Sequence, residues 1–218
     1  MAHLSIQQRN VFEERLSSIR LIDPHTLIPE QARSGKSIKN VQIGGVLVIG
    51  QHAYRVVGRS EYAECDEKFN KKTGDHWEEL ALFCLDTGDT AYLEFEEDDG
   101  IKCWLTINEV RLSDILDRGD SVDTDDLDDL TESDSTLVYD GQQFRYDDDY
   151  AALYTSGGKG KQKQGKEVYF YDFVAGKLTL TIEEWGYDGE YDYEAFLSKQ
   201  IDPREISILS LGWVPDKH

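Results

Sequence analysis

Two short stretches concentrate carboxylates beside aromatic rings. Trp77 is followed by Glu78 and Glu79. Trp185 is preceded by Glu183 and Glu184 and followed by Tyr187, Asp188, Tyr191 and Tyr193. Carboxylates bind ammonium and guanidinium groups through charge-assisted hydrogen bonds, and the faces of indole and phenol rings attract cations. The chemistry these residues suit is recognition of a positive charge: a polyamine, a divalent metal ion or a segment rich in Lys and Arg. The candidate binding residues are Trp77, Glu79, Trp104, Glu183, Glu184, Trp185, Tyr187, Tyr191 and Tyr193. The competing reading puts the rings in the core or in cross-strand pairs and the acids on the solvent face.

Other chemistries find less support. Glu78-Glu79 and Glu183-Glu184 are adjacent, and adjacent strand residues point to opposite faces, so neither pair is an acid–base dyad by itself. There is no Gly-x-Ser-x-Gly elbow. No catalytic residue and no cofactor is expected. The stretch GKQKQGKE at 160–167 resembles a phosphate-binding loop, but Glu167 stands where Ser or Thr should hold magnesium, and a strand follows instead of a helix. A calcium loop begun at Asp123 places Leu127 at its fifth position and Asp128 where glycine is needed. The runs Asp147-Asp148-Asp149 and Asp98-Asp99-Gly100 read as solvated turns. No two of the histidines share a metal-ligand spacing, and Cys65, Cys84 and Cys103 are isolated from one another, so no metal site is expected. Cys84 and Cys103, in apolar strands, are expected in the core, and Cys65, in a polar loop, is expected at the surface.

Forty-four acidic residues against 23 basic ones give a formal net charge of −21. Such a field repels nucleic acid and anionic lipid and attracts basic partners. No apolar run approaches a membrane span, and MAHLSIQQRN carries no apolar signal region. With an odd number of unpaired-looking cysteines, a reducing, cytoplasmic location is expected.

The elements that must position these residues are mostly strands. Ser5 with Gln8 suggests a capping box, and Val11, Phe12, Leu16 and Ile19 share a helix face that should end at Asp23-Pro24. From Val41 the texture becomes short β-branched and aromatic runs separated by Gly, Asp and Asn. It is interrupted by LDRGDSVDTDDLDDLTESDS, whose charge density predicts a solvated linker, although Leu127 and Leu130 offer a means of docking. The expected organisation is an N-terminal helix and linker (1–40), a first β unit (41–116), an acidic linker (117–134), a second β unit (135–212) and a tail (213–218). Leu47-Val48-Ile49 with Tyr54-Arg55 parallels Leu137-Val138-Tyr139 with Phe144-Arg145, and LSDI at 112–115 parallels PREI at 203–206. The fold expected is mainly β: two tandem, pseudo-duplicated antiparallel meander or barrel-like units packed together behind one helix.

The strand Tyr54-x-Val56-x-Gly58, then Trp77-x-Glu79, then Trp104-Leu105 resembles the bacterial family called domain of unknown function 4178. The second β stretch departs from that pattern at Asp148, which stands where Gly58 would map, and has no match to Trp77. The resemblance implies a small cytoplasmic β protein without an established activity. It also implies a gene context beside proteins similar to polyamine aminopropyltransferases and to the phage-shock membrane-stress protein. The function expected is a non-catalytic acidic adaptor for a basic protein partner. Alternatives are a small-cation module, for polyamine or divalent metal, and an enzyme of unknown type.

Overall fold

In a computed structural model of the chain, the described residues are 6–69, 72–131, 134–156, 166–187 and 190–212. Among the described residues one α-helix, α1 (Ile6–Arg20), precedes thirteen strands. They are β1 (Val46–Ile49), β2 (His52–Cys65), β3 (Lys72–Cys84), β4 (Thr90–Glu97), β5 (Ile101–Val110), β6 (Leu116–Asp117), β7 (Asp120–Ser121), β8 (Thr136–Tyr139), β9 (Gln142–Ser156), β10 (Lys166–Ala175), β11 (Leu178–Tyr187), β12 (Glu190–Ile201) and β13 (Ile206–Ser210). The fold is mainly β, as the β-branched and aromatic runs predict. Turn chemistry joins neighbours: Asp140 and Gly141, at φ of 48° and 73°, form the two-residue link between β8 and β9. Positive φ at both central positions matches the right-handed twist of the flanking strands.

The chain divides into two compact units. The first comprises residues 1–59, 80–92 and 202–218, the second residues 60–79 and 93–201. The expected first β unit, 41–116, thus contributes to both.

In the first unit β1 lies between β13 and β2, with Leu47 opposite both Ile208 and Tyr54. A Cβ on Gly58 would stand 3.1 Å from that of Ala81, so glycine permits the close approach of β2 to β3 at this point. Helix α1 docks on the turn after β3: Arg15 Nε donates to the Leu85 carbonyl at 2.9 Å, and Val11 lies against Gly88. Of the four residues expected on its buried face, Val11 and Leu16 are half-buried, whereas Phe12 and Ile19 are 54% and 47% exposed. A tight turn offers the helix a narrow footprint, and the Arg15 stem fills part of it. Ser5 lies outside the described residues. Asp23 caps a following 3-10 turn, Pro24–Thr26, by accepting from His25 N.

The second unit contains a closed antiparallel barrel of eight strands. Hydrogen bonding runs β2-β3-β4-β5-β12-β11-β10-β9, and β9 returns to β2 with Ser60 opposite Ser156 and Cys65 opposite Ala151. Closure leaves the ring no unpaired edge. Successive residues of β11 alternate: Leu178, Leu180 and Ile182 join an apolar core on the outer face, while Thr179, Thr181, Glu183 and Trp185 point the other way.

That outer core corrects the expectation of a solvated acidic linker. Residues 116–117 and 120–121 are strands, Thr124–Leu130 is a 3-10 helix, and Val122, Leu127 and Leu130 are buried with Leu137, Phe144 and Phe173. Fully burying a leucine side chain is worth about 1.5–3 kcal/mol. Three apolar side chains spaced along the segment hold it down while Asp120, Asp123 and Asp129 stay exposed. Cys65 is also corrected: it is the last residue of β2 and is buried, not a surface thiol. Cys84 and Cys103 are buried as expected. Residues 157–165, which hold most of the lysine-rich loop, and the tail 213–218 lie outside the described residues.

Candidate functional site

The inner face of the barrel is not a plain hydrocarbon core. At one level aromatic rings meet across the lumen. Tyr62 of β2 stacks on Trp77 of β3 with centroids 5.0 Å apart, and Phe170 of β10 lies 5.6 Å from Trp77 and 5.1 Å from Tyr150 of β9. Trp185 of β11 meets Tyr154 edge-on at 5.3 Å. Edge-to-face and offset pairs of this kind are favourable beyond the area they bury.

Beside these rings sit four carboxylates from four strands: Glu79 of β3, Glu94 of β4, Asp172 of β10 and Glu183 of β11. Asp172 accepts from Thr181 Oγ1 at 2.6 Å and from Tyr150 Oη at 3.1 Å, and Glu183 accepts from Trp185 Nε1 at 3.0 Å. Burial pushes the Glu79 carboxyl up to about 7, with repulsion from Glu194 adding to it. Burial pushes Glu94 up to about 8, reinforced by Glu79 and Asp172. Asp172 rises through burial to about 6, held back by its two hydroxyl donors. Glu183 is raised well above the ordinary range by burial and by Glu94, Glu79 and Glu194. The groups acting most strongly on the four are carboxylates, hydroxyls and an indole; none is a lysine or arginine. Tyr150 and Tyr62 are pushed upward by burial and the same carboxylates, so both remain phenols.

A cavity of about 660 Å³ opens onto two of the four, Glu94 and Asp172. Trp77, Tyr150 and Phe170 line it with Glu94, Asp172 and Trp104. Trp104 stands directly opposite Glu94 in the β4–β5 register, which puts the two side chains on one face. Nine carboxylates contribute to the lining against one lysine, Lys102, and Lys102 is held at 3.0 Å by both Glu96 and Asp98.

Of the residues chosen from the sequence, the barrel brings Trp77, Glu79, Trp104, Glu183 and Trp185 to the inner face. It does not bring the others. Glu184 points outward, 3.4 Å from Tyr171 Oη. Tyr193 packs against the outer core and Tyr191 is 62% exposed. The side chain of Tyr187 lies outside the described ones. Strand alternation separates them: residues 183 and 185 face in, 184 faces out. Sequence reasoning missed Glu94, Asp172, Tyr62, Tyr150 and Phe170. A signal for Asp172 was present, because it is the lone charge in the apolar run VYFYDFV, and a lone acid in a two-sided buried strand needs a partner or a proton.

A family model described as a domain of unknown function (DUF4178) matches residues 42–203. No curated protein and no solved structure matches the chain.

Proposed function

Because the chain belongs to the family described as domain of unknown function (DUF4178), a description that carries no activity, we propose a function from the barrel lumen: it is a receptor for a small organic cation of the polyamine class. One observation carries this reading. Four carboxylates from separate strands gather beside one set of rings, Glu94 and Asp172 of them lining the cavity, and burial and neighbouring acids raise all four above the ordinary range. Buried acids without a counter-charge must hold protons or wait for a cation. An ammonium group entering the lumen supplies that charge, and the rings of Trp77, Trp104 and Tyr150 give it cation–π attraction and give methylene stems an apolar wall. A volume of about 660 Å³ falls within the range of small-molecule sites.

A second reading, an adaptor for a basic protein, is favoured by the exposed carboxylates that continue outward at Glu97, Asp98, Asp147 and Asp148. A lysine side chain of a partner would enter the same mouth. That Cys65, Cys84 and Cys103 are in no disulfide supports a cytoplasmic location. We also read the chain as an internal duplication. In support, β1–β2 and β8–β9 are both a short strand, a two-residue turn and a long strand, and Leu112–Asp114 and Pro203–Glu205 are both 3-10 turns.

The test is a set of thermal melts with spermidine, putrescine, magnesium, calcium and oligolysine, each against sodium chloride of equal ionic strength. Ligand at about 100 times its Kd adds ~2.7 kcal/mol, roughly 5–11 °C for a chain of this length. The expected result is a polyamine shift beyond the salt control that Asp172→Asn with Glu94→Gln removes. A shift with oligolysine alone supports the adaptor. No shift beyond salt, or an equal shift in the double variant, overturns the lumen receptor.

A further inference from the structure

A second cluster lies in the first unit. His52 opens β2, Cys84 closes β3, and Asp86 follows two residues later in the turn toward β4. One ligand atom of each, the imidazole nitrogen, Sγ and a carboxylate oxygen, all lie within 4.8 Å of one another. His52 Nδ1 stands 3.6 Å from Asp86 Oδ2. With bonds of about 2.0–2.1 Å, a tetrahedral zinc ion holds its nitrogen and oxygen ligands roughly 3.3 Å apart. The three groups therefore stand near ligand spacing already.

The surroundings fix them there. Ala53 N donates to Asp86 Oδ2 at 2.8 Å, and Leu85 N donates to the Ala53 carbonyl at 2.8 Å, tying the turn to the start of β2. Gly88 N donates to the Cys84 carbonyl, and Cys84 N to that of Asp89, each at 2.8 Å. Helix α1 clamps the same turn through Arg15 and the Leu85 carbonyl. The Tyr54 ring meets the His52 ring edge-on at 6.4 Å. Backbone donors that orient a ligating carboxylate, and packing that holds the ligand loop, are what raise affinity at metal sites.

We infer that His52, Cys84 and Asp86 form a binding site for a thiophilic divalent ion of the zinc class. A thiolate, an imidazole and a carboxylate match a borderline-soft ion and disfavour magnesium and calcium, which take oxygen alone. Three protein ligands leave a fourth position for water, the arrangement that keeps an ion accessible. Sequence spacing could not reveal the site, because the β2–β3 approach brings His52 to a cysteine 32 positions later in the chain.

The experiment uses the full-length, reduced, metal-free protein titrated with Co²⁺. The expected result is a thiolate-to-cobalt charge-transfer band saturating at one ion per chain and bleached by Zn²⁺. Cys84→Ser abolishes the band, and His52→Gln, at an exposed position, weakens Co²⁺ binding at least tenfold. Cys65→Ser and Cys103→Ser keep it, and so does the Asp172→Asn/Glu94→Gln double variant, because lumen carboxylates give no thiolate band. Absence of the band in the wild type overturns the site and leaves His52 and Asp86 as a surface pair. A band that survives Cys84→Ser, or is indifferent to His52→Gln, overturns it as well. Neither result bears on polyamine binding.

Discussion

At the scale of the residue, the lumen carboxylates make two predictions of opposite sign. Without a cation, Glu79, Glu94 and Asp172 hold their protons to about 7, 8 and 6, against ordinary values of 4.5, 4.5 and 3.8. Between the unfolded and folded values the native state binds more protons than the unfolded state, so stability falls as pH rises. These groups therefore stabilise the ligand-free protein fully below about pH 4 and lose that contribution progressively up to about pH 8. Glu94→Gln cannot ionise. It should be more stable than wild type at pH 8.5, by a clear rise in the urea midpoint, and close to it at pH 5. Urea unfolding at the two pH values measures this, and an unchanged pH slope in the variant would show that Glu94 is not buried among acids. Binding runs the other way. A cation favours the ionised carboxylates, so polyamine affinity should rise as pH is taken from 6 to 8, with protons released into a weakly buffered titration. Affinity that is flat over that range would place the ligand outside the lumen.

At the scale of the element, hydrophobic runs located the strands, and alternation within them decides which aromatic and acidic residues share a face. Glu183 and Trp185 are a pair for this reason, whereas Glu184, between them, belongs to the outside. What no run discloses is which strands pair. The barrel closes where residues 60–65 of β2 meet 151–156 of β9, a contact between segments that each look like ordinary long strands. Glu94 and Asp172 could join Glu79 and Glu183 in thought only once that closure was known. The acidic segment shows the converse failure. Its charge dominates the composition, but Val122, Leu127 and Leu130 decide its fate, because an apolar side chain needs only one buried face. The expected outcome is that residues 117–131 resist limited proteolysis in the native protein. Leu127→Ala should cost about 2–3 kcal/mol and open that segment to cleavage first. Rapid cutting there in the wild type would contradict the packing.

At the scale of the whole molecule, a net charge of −21 repels itself as well as other anions, and monovalent salt should relieve that repulsion. Screening is strongest between exposed charges and weak inside a barrel, so the general and the specific effects can be separated. Sodium chloride should raise the melting temperature of wild type and of the Asp172→Asn/Glu94→Gln variant along parallel curves, because the variant alters only two of 44 acidic residues. Spermidine should follow the same curve in the variant and exceed it in the wild type by the binding contribution alone. If spermidine exceeds the salt curve equally in both, its effect is that of a polyvalent counterion on an acidic surface. The lumen carboxylates would then be a strained core kept neutral by protons, and the exposed acids at the rim would be the surface to examine for a basic partner.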